Sequence, residues 1–228
     1  MKENHILIGL GGTGGKVLKA FRKRLYQEYN DDERAKLPIA FLYVDSSTEE
    51  MMAGDKTWYV LGKNAQFTAN EFVNVKGVDI KSILANPKNY PGLKGLIGDG
   101  EVMAKTIGEV GAAAAQKRRA GRILFGSSVE NYKSALLGAY DRVNKITHAE
   151  RTNIYIFTGL AGGTGSGSII DVIAQTRMMP QFQDMLSMDG KTGTSIVVNA
   201  MIPEITPPGK SDAGKYHANG YAALQELN

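Results

Sequence analysis

Two short stretches of the chain carry residue types suited to holding an anion. Residues 9–15 read Gly-Leu-Gly-Gly-Thr-Gly-Gly, and residues 159–168 read Gly-Leu-Ala-Gly-Gly-Thr-Gly-Ser-Gly-Ser. Each follows an apolar run, "HILI" in the first case and "NIYIFT" in the second. Glycine loses the most backbone entropy on folding, so such stretches are costly to order unless the bare backbone has a task. A backbone without Cβ atoms can bring several N–H groups close to phosphate oxygens. A loop between a strand and a helix also meets the positive end of the helix dipole, where negative charge is favoured. Thr13, Thr164, Ser166 and Ser168 add hydroxyl donors.

Taken alone, the first loop has three readings. As a Walker A loop it fails, because Leu10 stands where the first glycine belongs and Val17 replaces the Ser/Thr after Lys16. As a dinucleotide fingerprint it has the right spacing in Gly9, Gly11 and Gly14. The acidic residue ending the next apolar run, Asp45, lies 31 residues past Gly14, where the fingerprint expects roughly 20. The third reading is a tight strand–helix turn with no ligand. The second loop alters this choice, since a dinucleotide fold has no need of another such loop so far downstream. Two cradles facing one crevice suit a phosphate chain held from both sides.

Loops of this kind need rigid elements beneath them. Four apolar runs read as buried strands: Asn4–Leu10, Ile39–Val44, Asn153–Thr158 and Ser195–Ile202. They are short, rich in β-branched or aromatic residues and apolar on both faces, the pattern of central parallel strands. Helical spacing follows at 16–29, with Val17, Leu18, Phe21 and Leu25 on one side, and at 129–143. A third helix is expected over Ser168–Met179, stopped by Pro180, and a last short one over 218–228. Alternating strand, loop and helix predict an α/β fold: a Rossmann-like, three-layer parallel sheet with helices on both faces. Residues 46–107, punctuated by Pro and Gly, read as a loop-rich insertion, and 203–217 as a long loop. The basic stretch 117–122, "KRRAGR", reads as a solvated helix face.

Composition narrows the function classes. The chain has 228 residues and a net charge of +4, too mild for the dense basic footprint of bulk nucleic-acid binding. It has no cysteine, which excludes disulfides, cysteine-ligated zinc and thiol catalysis. His5, His148 and His217 share no metal-ligand spacing. No segment approaches the roughly 20 apolar residues of a membrane span. The start, "MKENHILIGLGG", breaks into glycine too early for a signal-peptide core. A soluble cytoplasmic protein is the expectation.

The loops also have a familial look. "AGGTGSGS" at 161–168 resembles the signature loop of the tubulin and FtsZ superfamily, and "IGLGGTGGKV" at 8–17 resembles the first nucleotide loop of FtsZ. "GAAAAQKRRAGRILF" at 111–125 is similar to the third loop and following helix of bacterial tubulin-like proteins. The resemblance covers nearly the whole chain and implies a GTP-binding domain over 1–228 that uses GTP or GDP with Mg2+. By position, Gly11, Gly12 and Thr13 would line the α- and β-phosphates. Ala161, Gly162, Gly163, Thr164, Gly165 and Ser166 would wrap the β- and γ-phosphates. Asp45 falls where the second loop nears the phosphates and the magnesium ion, and Asn219 falls near the ribose-side loop. Arg118 is placed either against the γ-phosphate or facing solvent on its helix. The resemblance further implies self-association into filaments, and hydrolysis that depends on an acidic loop of the neighbouring subunit. No residue of this chain fills that catalytic role, so a domain incomplete at its carboxyl end, with negligible turnover by itself, is expected. Two other functions stay open: an NAD(P)-dependent oxidoreductase using Gly9, Gly11 and Gly14, and a non-enzymatic scaffold of the same fold.

Overall fold

The computed structural model describes residues 3–52, 54–76, 79–108, 114, 116–206 and 214–228. Its first half contains β1 (Asn4–Leu10), α1 (Gly11–Glu28), α2 (Asp31–Ala35), β2 (Ile39–Asp45), a small hairpin of β3 (Tyr59–Val60) and β4 (Lys63–Asn64), and β5 (Phe72–Asn74). Then follow α3 (Ile80–Ala85), α4 (Lys94–Ile97), α5 (Gly100–Ile107), α6 (Arg118–Ser127), α7 (Val129–Thr147), β6 (Arg151–Gly159), α8 (Thr164–Arg177), β7 (Gly193–Met201) and α9 (Tyr216–Leu227).

The five longer-range strands form one sheet in the order β5-β2-β1-β6-β7, parallel throughout. The apolar character of β1 on both faces explains its central place. Ile6, Ile8 and Leu10 point into a core shared with Ile123, Leu124 and Phe125 of α6, Tyr132 and Leu136 of α7, and Ile169 and Val172 of α8. Leu7 points the other way, into a second core with Leu18 and Leu25 of α1 and with Phe41, Tyr43, Trp58 and Phe67. The layers are therefore helix, sheet and helix, as the strand and helix periods predict.

Chain order makes the sheet grow in two directions. From β1 it runs to β2 and β5 on one side, then returns to β6 and β7 on the other. The reversal falls between β1 and β6. In open parallel sheets, ligands bind beyond the carboxyl ends of the strands at such a reversal. Both glycine loops leave the sheet at this point.

Three differences from the sequence reading have physical causes. Helix α1 begins at Gly11 rather than near residue 16, and α8 begins at Thr164 rather than Ser168. Glycine has low helix propensity, so both stretches read as loops, but packing between them overrides that preference. Second, the insertion over 46–107 supplies part of the main sheet. Its β5 pairs in parallel with the end of β2, Tyr43 against Phe72 through Asp45 against Asn74. Third, α7 continues past 143 to Thr147 and stops at His148, which adopts the left-handed conformation common after helix ends. Of the long loop expected over 203–217, residues 207–213 lie outside the described residues.

Candidate functional site

Strands β1 and β6 lie side by side, with Leu10 level with Thr158. Their loops touch immediately beyond. Gly11 has φ +65°, and a Cβ there would sit 2.9 Å from the Gly165 backbone nitrogen. A Cβ on Gly165 would sit 2.6 Å from the Leu10 carbonyl oxygen. These two positions exclude side chains because backbone meets backbone. Gly12 and Gly162 are different, since a Cβ on either would meet nothing within 4 Å. The fold gives no steric reason for glycine there, whereas an approaching ligand would.

Both helix starts are open to an anion. Neither α1 nor α8 has a side-chain cap or an acidic residue in its first turn. The leading N–H groups of a helix have no partner within it, so these ends offer donors and a favourable dipole together. Gly12 and Thr13 are exposed, and Ala161 and Gly162 are half-exposed, so the rim is accessible. Gly163 and Thr164 are buried behind it, and Ser166 is fully enclosed.

The remaining predicted residues converge on the second loop, mostly as supports. Asp45 is 4% exposed at the end of β2. It accepts hydrogen bonds from the Tyr43 hydroxyl and the Ser46 backbone N–H, each at 2.7 Å. Burial pushes its carboxyl above the ordinary aspartate range, against the pull of the Tyr43, Ser46 and Ser47 hydrogen bonds. Asn219, near the start of α9, donates through Nδ2 to the Gln116 carbonyl and to the Ala161 carbonyl, both at 2.8 Å. Arg118 donates from Nε to the Ser166 hydroxyl at 2.8 Å and from Nη2 to the Ser166 carbonyl at 3.1 Å. Its outer edge is ion-paired with Glu226 of α9 at 2.7 Å.

The basic stretch is thus not a solvated face throughout. Arg118 is turned inward, and Arg122 pairs with Asp171 of α8 at 2.6 and 2.9 Å. Arg119 is exposed. The third loop itself lies mostly outside the described residues, which include only Ala114, Gln116 and Lys117 from 111–117.

Two residues escaped the sequence reading. Ser46 shares a 2.8 Å hydrogen bond with the Thr164 hydroxyl and accepts the Ala114 N–H at 3.0 Å, joining three segments at one oxygen. Glu226 orients Arg118. Only the position of Ser46 at the carboxyl end of a parallel strand hinted at its role. Among the described residues no cluster of His, Asp and Glu is arranged to hold a metal ion unaided. No helix among them is long and apolar enough to cross a membrane.

Comparison with known proteins agrees with this architecture. CetZ from Methanosaeta thermophila superposes with a TM-score of 0.52 at 14% identity, over 98% of this chain and 42% of that one. CetZ1 from Haloferax volcanii, a GDP-bound monomer, gives 0.49 at 17% identity, over 97% and 47%. CetZ2 from the same organism, a GTPγS-bound protofilament, gives 0.47 at 17% identity, over 98% and 46%. The chain spans less than half the length of these structures, and the first of them, at 14% identity, speaks for the fold alone. No curated protein matches in sequence. The profile of the family described as tubulin-like matches residues 6–228. The chain belongs to that family, within the tubulin/FtsZ superfamily.

Proposed function

We propose that the chain is the guanine-nucleotide-binding module of a tubulin/FtsZ-like protein, and that its two glycine loops grip the phosphates from either side. The observation that carries this reading is the meeting of two uncapped helix starts across the sheet reversal, each with a glycine that faces open space at Gly12 or Gly162. Backbone donors of Gly11, Gly12 and Thr13 serve the α- and β-phosphates. Those from Ala161 to Ser166 serve the β- and γ-phosphates. This geometry supports the phosphate reading, and family membership supports guanine as the base.

Magnesium fits the donor set in a limited way. Mg2+ keeps several waters and usually takes one or two carboxylates plus substrate phosphates. Asp45, with the Ser46 and Thr164 hydroxyls beside it, is the carboxylate at hand. Bound there, the ion would neutralise phosphate charge. Self-association into filaments, and hydrolysis within them, are proposed for the whole protein on the same family grounds.

The dinucleotide reading has less support. A Cβ on Gly9 would lie 2.7 Å from the Gly14 carbonyl oxygen, and one on Gly14 would lie 2.3 Å from the Phe157 carbonyl oxygen. Strand–helix packing alone therefore accounts for two of the three fingerprint glycines. Calorimetric titration with GTP, GDP and NADH tests the choice. Saturable binding of GTP or GDP but not NADH is expected. Binding of NADH alone would move the chain to the oxidoreductase class, and binding of none would leave a scaffold.

A further inference from the structure

Ala114 and residues 116–118, at the start of α6, lie against the second glycine loop and meet it through three separate side chains. The Ala114 N–H reaches Ser46, whose hydroxyl is bonded to Thr164. The Gln116 carbonyl and the Ala161 carbonyl share the amide nitrogen of Asn219. Arg118 itself holds both the hydroxyl and the carbonyl of Ser166. The contacts fall at alternate residues, 114, 116 and 118, and land on 164, 161 and 166. Between them the backbones are in direct contact. A Cβ on Gly121 would lie 2.2 Å from the Gly163 carbonyl oxygen, and one on Gly167 would lie 2.2 Å from the Arg118 carbonyl oxygen.

We infer that Ser46, Asn219 and Arg118 are positioning residues, which set the second glycine loop by stitching it to Ala114 and to residues 116–118. The inference rests on reading that loop as the phosphate site. The donor inventory supports it. A guanidinium has five N–H donors in a rigid fork, and Arg118 directs Nε and Nη2 at Ser166 while Nη1 and Nη2 hold Glu226. With a side chain only 12% exposed, Arg118 acts on a bound phosphate through Ser166 rather than by its own charge. The Nδ2 group of Asn219 has two hydrogens and two carbonyl acceptors, so its donors are spent on Gln116 and Ala161 and not on a ribose. Glu226 is the outer anchor, and it couples α9 to the phosphate loop.

The test uses the full chain, with amide hydrogen exchange of residues 160–168 measured without nucleotide and GTP and GDP affinities measured beside it. Arg118→Ala is expected to speed exchange in this loop and to weaken GTP and GDP by the same factor, about tenfold for a lost charge-assisted pair. Arg118→Lys fails to restore either readout, because an ammonium lacks the fork. Guanidinium ion at millimolar concentration restores part of the Arg118→Ala loss. Glu226→Gln, at a partly exposed site where folding is not at risk, gives a smaller change in the same direction. Loss of GTP affinity alone, with exchange unchanged, would overturn the inference and make Arg118 a direct γ-phosphate ligand. Should the unaltered chain bind neither nucleotide, the phosphate reading falls, and the exchange rates still decide whether the stitches hold the loop. Unchanged exchange in both Arg118→Ala and Glu226→Gln would refute them.

Discussion

The two glycine loops look alike in sequence and are built differently. The first is fixed by close packing of its glycines against neighbouring strands. A Cβ on Gly14 would press on the Phe157 carbonyl, and one on Gly15 would sit 2.5 Å from the Tyr43 ring. Among the described residues, no side-chain hydrogen bond from elsewhere reaches residues 9–15. The second loop is held from outside, by Ser46, Arg118 and Asn219, each at least 48 residues away in sequence. One loop is therefore set by close packing of its glycines on neighbouring strands, and the other is held by side-chain hydrogen bonds from distant segments. Substitutions at the packed glycines of the first, Gly9, Gly14 and Gly15, should destabilise the protein, while substitutions around the second should loosen a site in a folded protein.

The largest expected effect separates packing glycines from open ones. Gly14→Ala places a methyl against backbone that cannot yield, and overpacking of this kind costs about 3 kcal/mol at its upper range. Urea unfolding measures it, and an unshifted midpoint would remove backbone packing as the basis of the first loop. Gly12→Val and Gly162→Val invert the pattern. Their side chains enter open space, so stability should change by about 0.5 kcal/mol or less, as at other exposed sites. Nucleotide affinity should fall by about tenfold or more, because the lost backbone–phosphate hydrogen bonds are charge-assisted. Unfolded variants, or folded ones with full affinity, would erase the distinction between the two kinds of glycine.

A middle-sized effect is expected at the support of the second loop. Ser46→Ala strands the Ala114 N–H in a buried site and removes a partner of the Thr164 hydroxyl, at a cost of about 1–3 kcal/mol. Thermal unfolding gives the stability change, and a neutral result would show that water replaces the serine. The smallest effect concerns Asp45. Asp45→Ala should reduce the Mg2+ dependence of nucleotide binding, read as the ratio of affinities with and without the ion. A ratio equal to that of the unaltered chain would leave Asp45 as a support for Tyr43 and Ser46 alone.

How much of this was legible in the sequence follows the same division. Strand β1 has the bounds its apolar run predicts, because a central strand is apolar on both faces, and it ends at Leu10, before Gly11 and Gly12. The glycine loops stood out because their composition is local. Helix starts at Gly11 and Thr164 did not, since winding these residues into a helix depends on the contact between Gly11 and Gly165. Strand β5 is too short for any period to show, and it is a strand because the edge of β2 offers it a partner. Ser46 and Glu226 are ordinary residue types whose roles appear only through contacts 118 and 108 residues apart in the chain. Arg118 was singled out by the family resemblance, as facing either a phosphate or solvent, and its contact with Ser166 is a matter of packing that the sequence does not show.

The central claim is that both loops serve one ligand, and backbone amide NMR of the chain during titration with GDP tests it most directly. The account predicts that the amides of residues 11–13 and 162–166 shift together, with one shared dissociation constant. Shifts confined to residues 9–15, or no shift in either loop at saturating nucleotide, would contradict it.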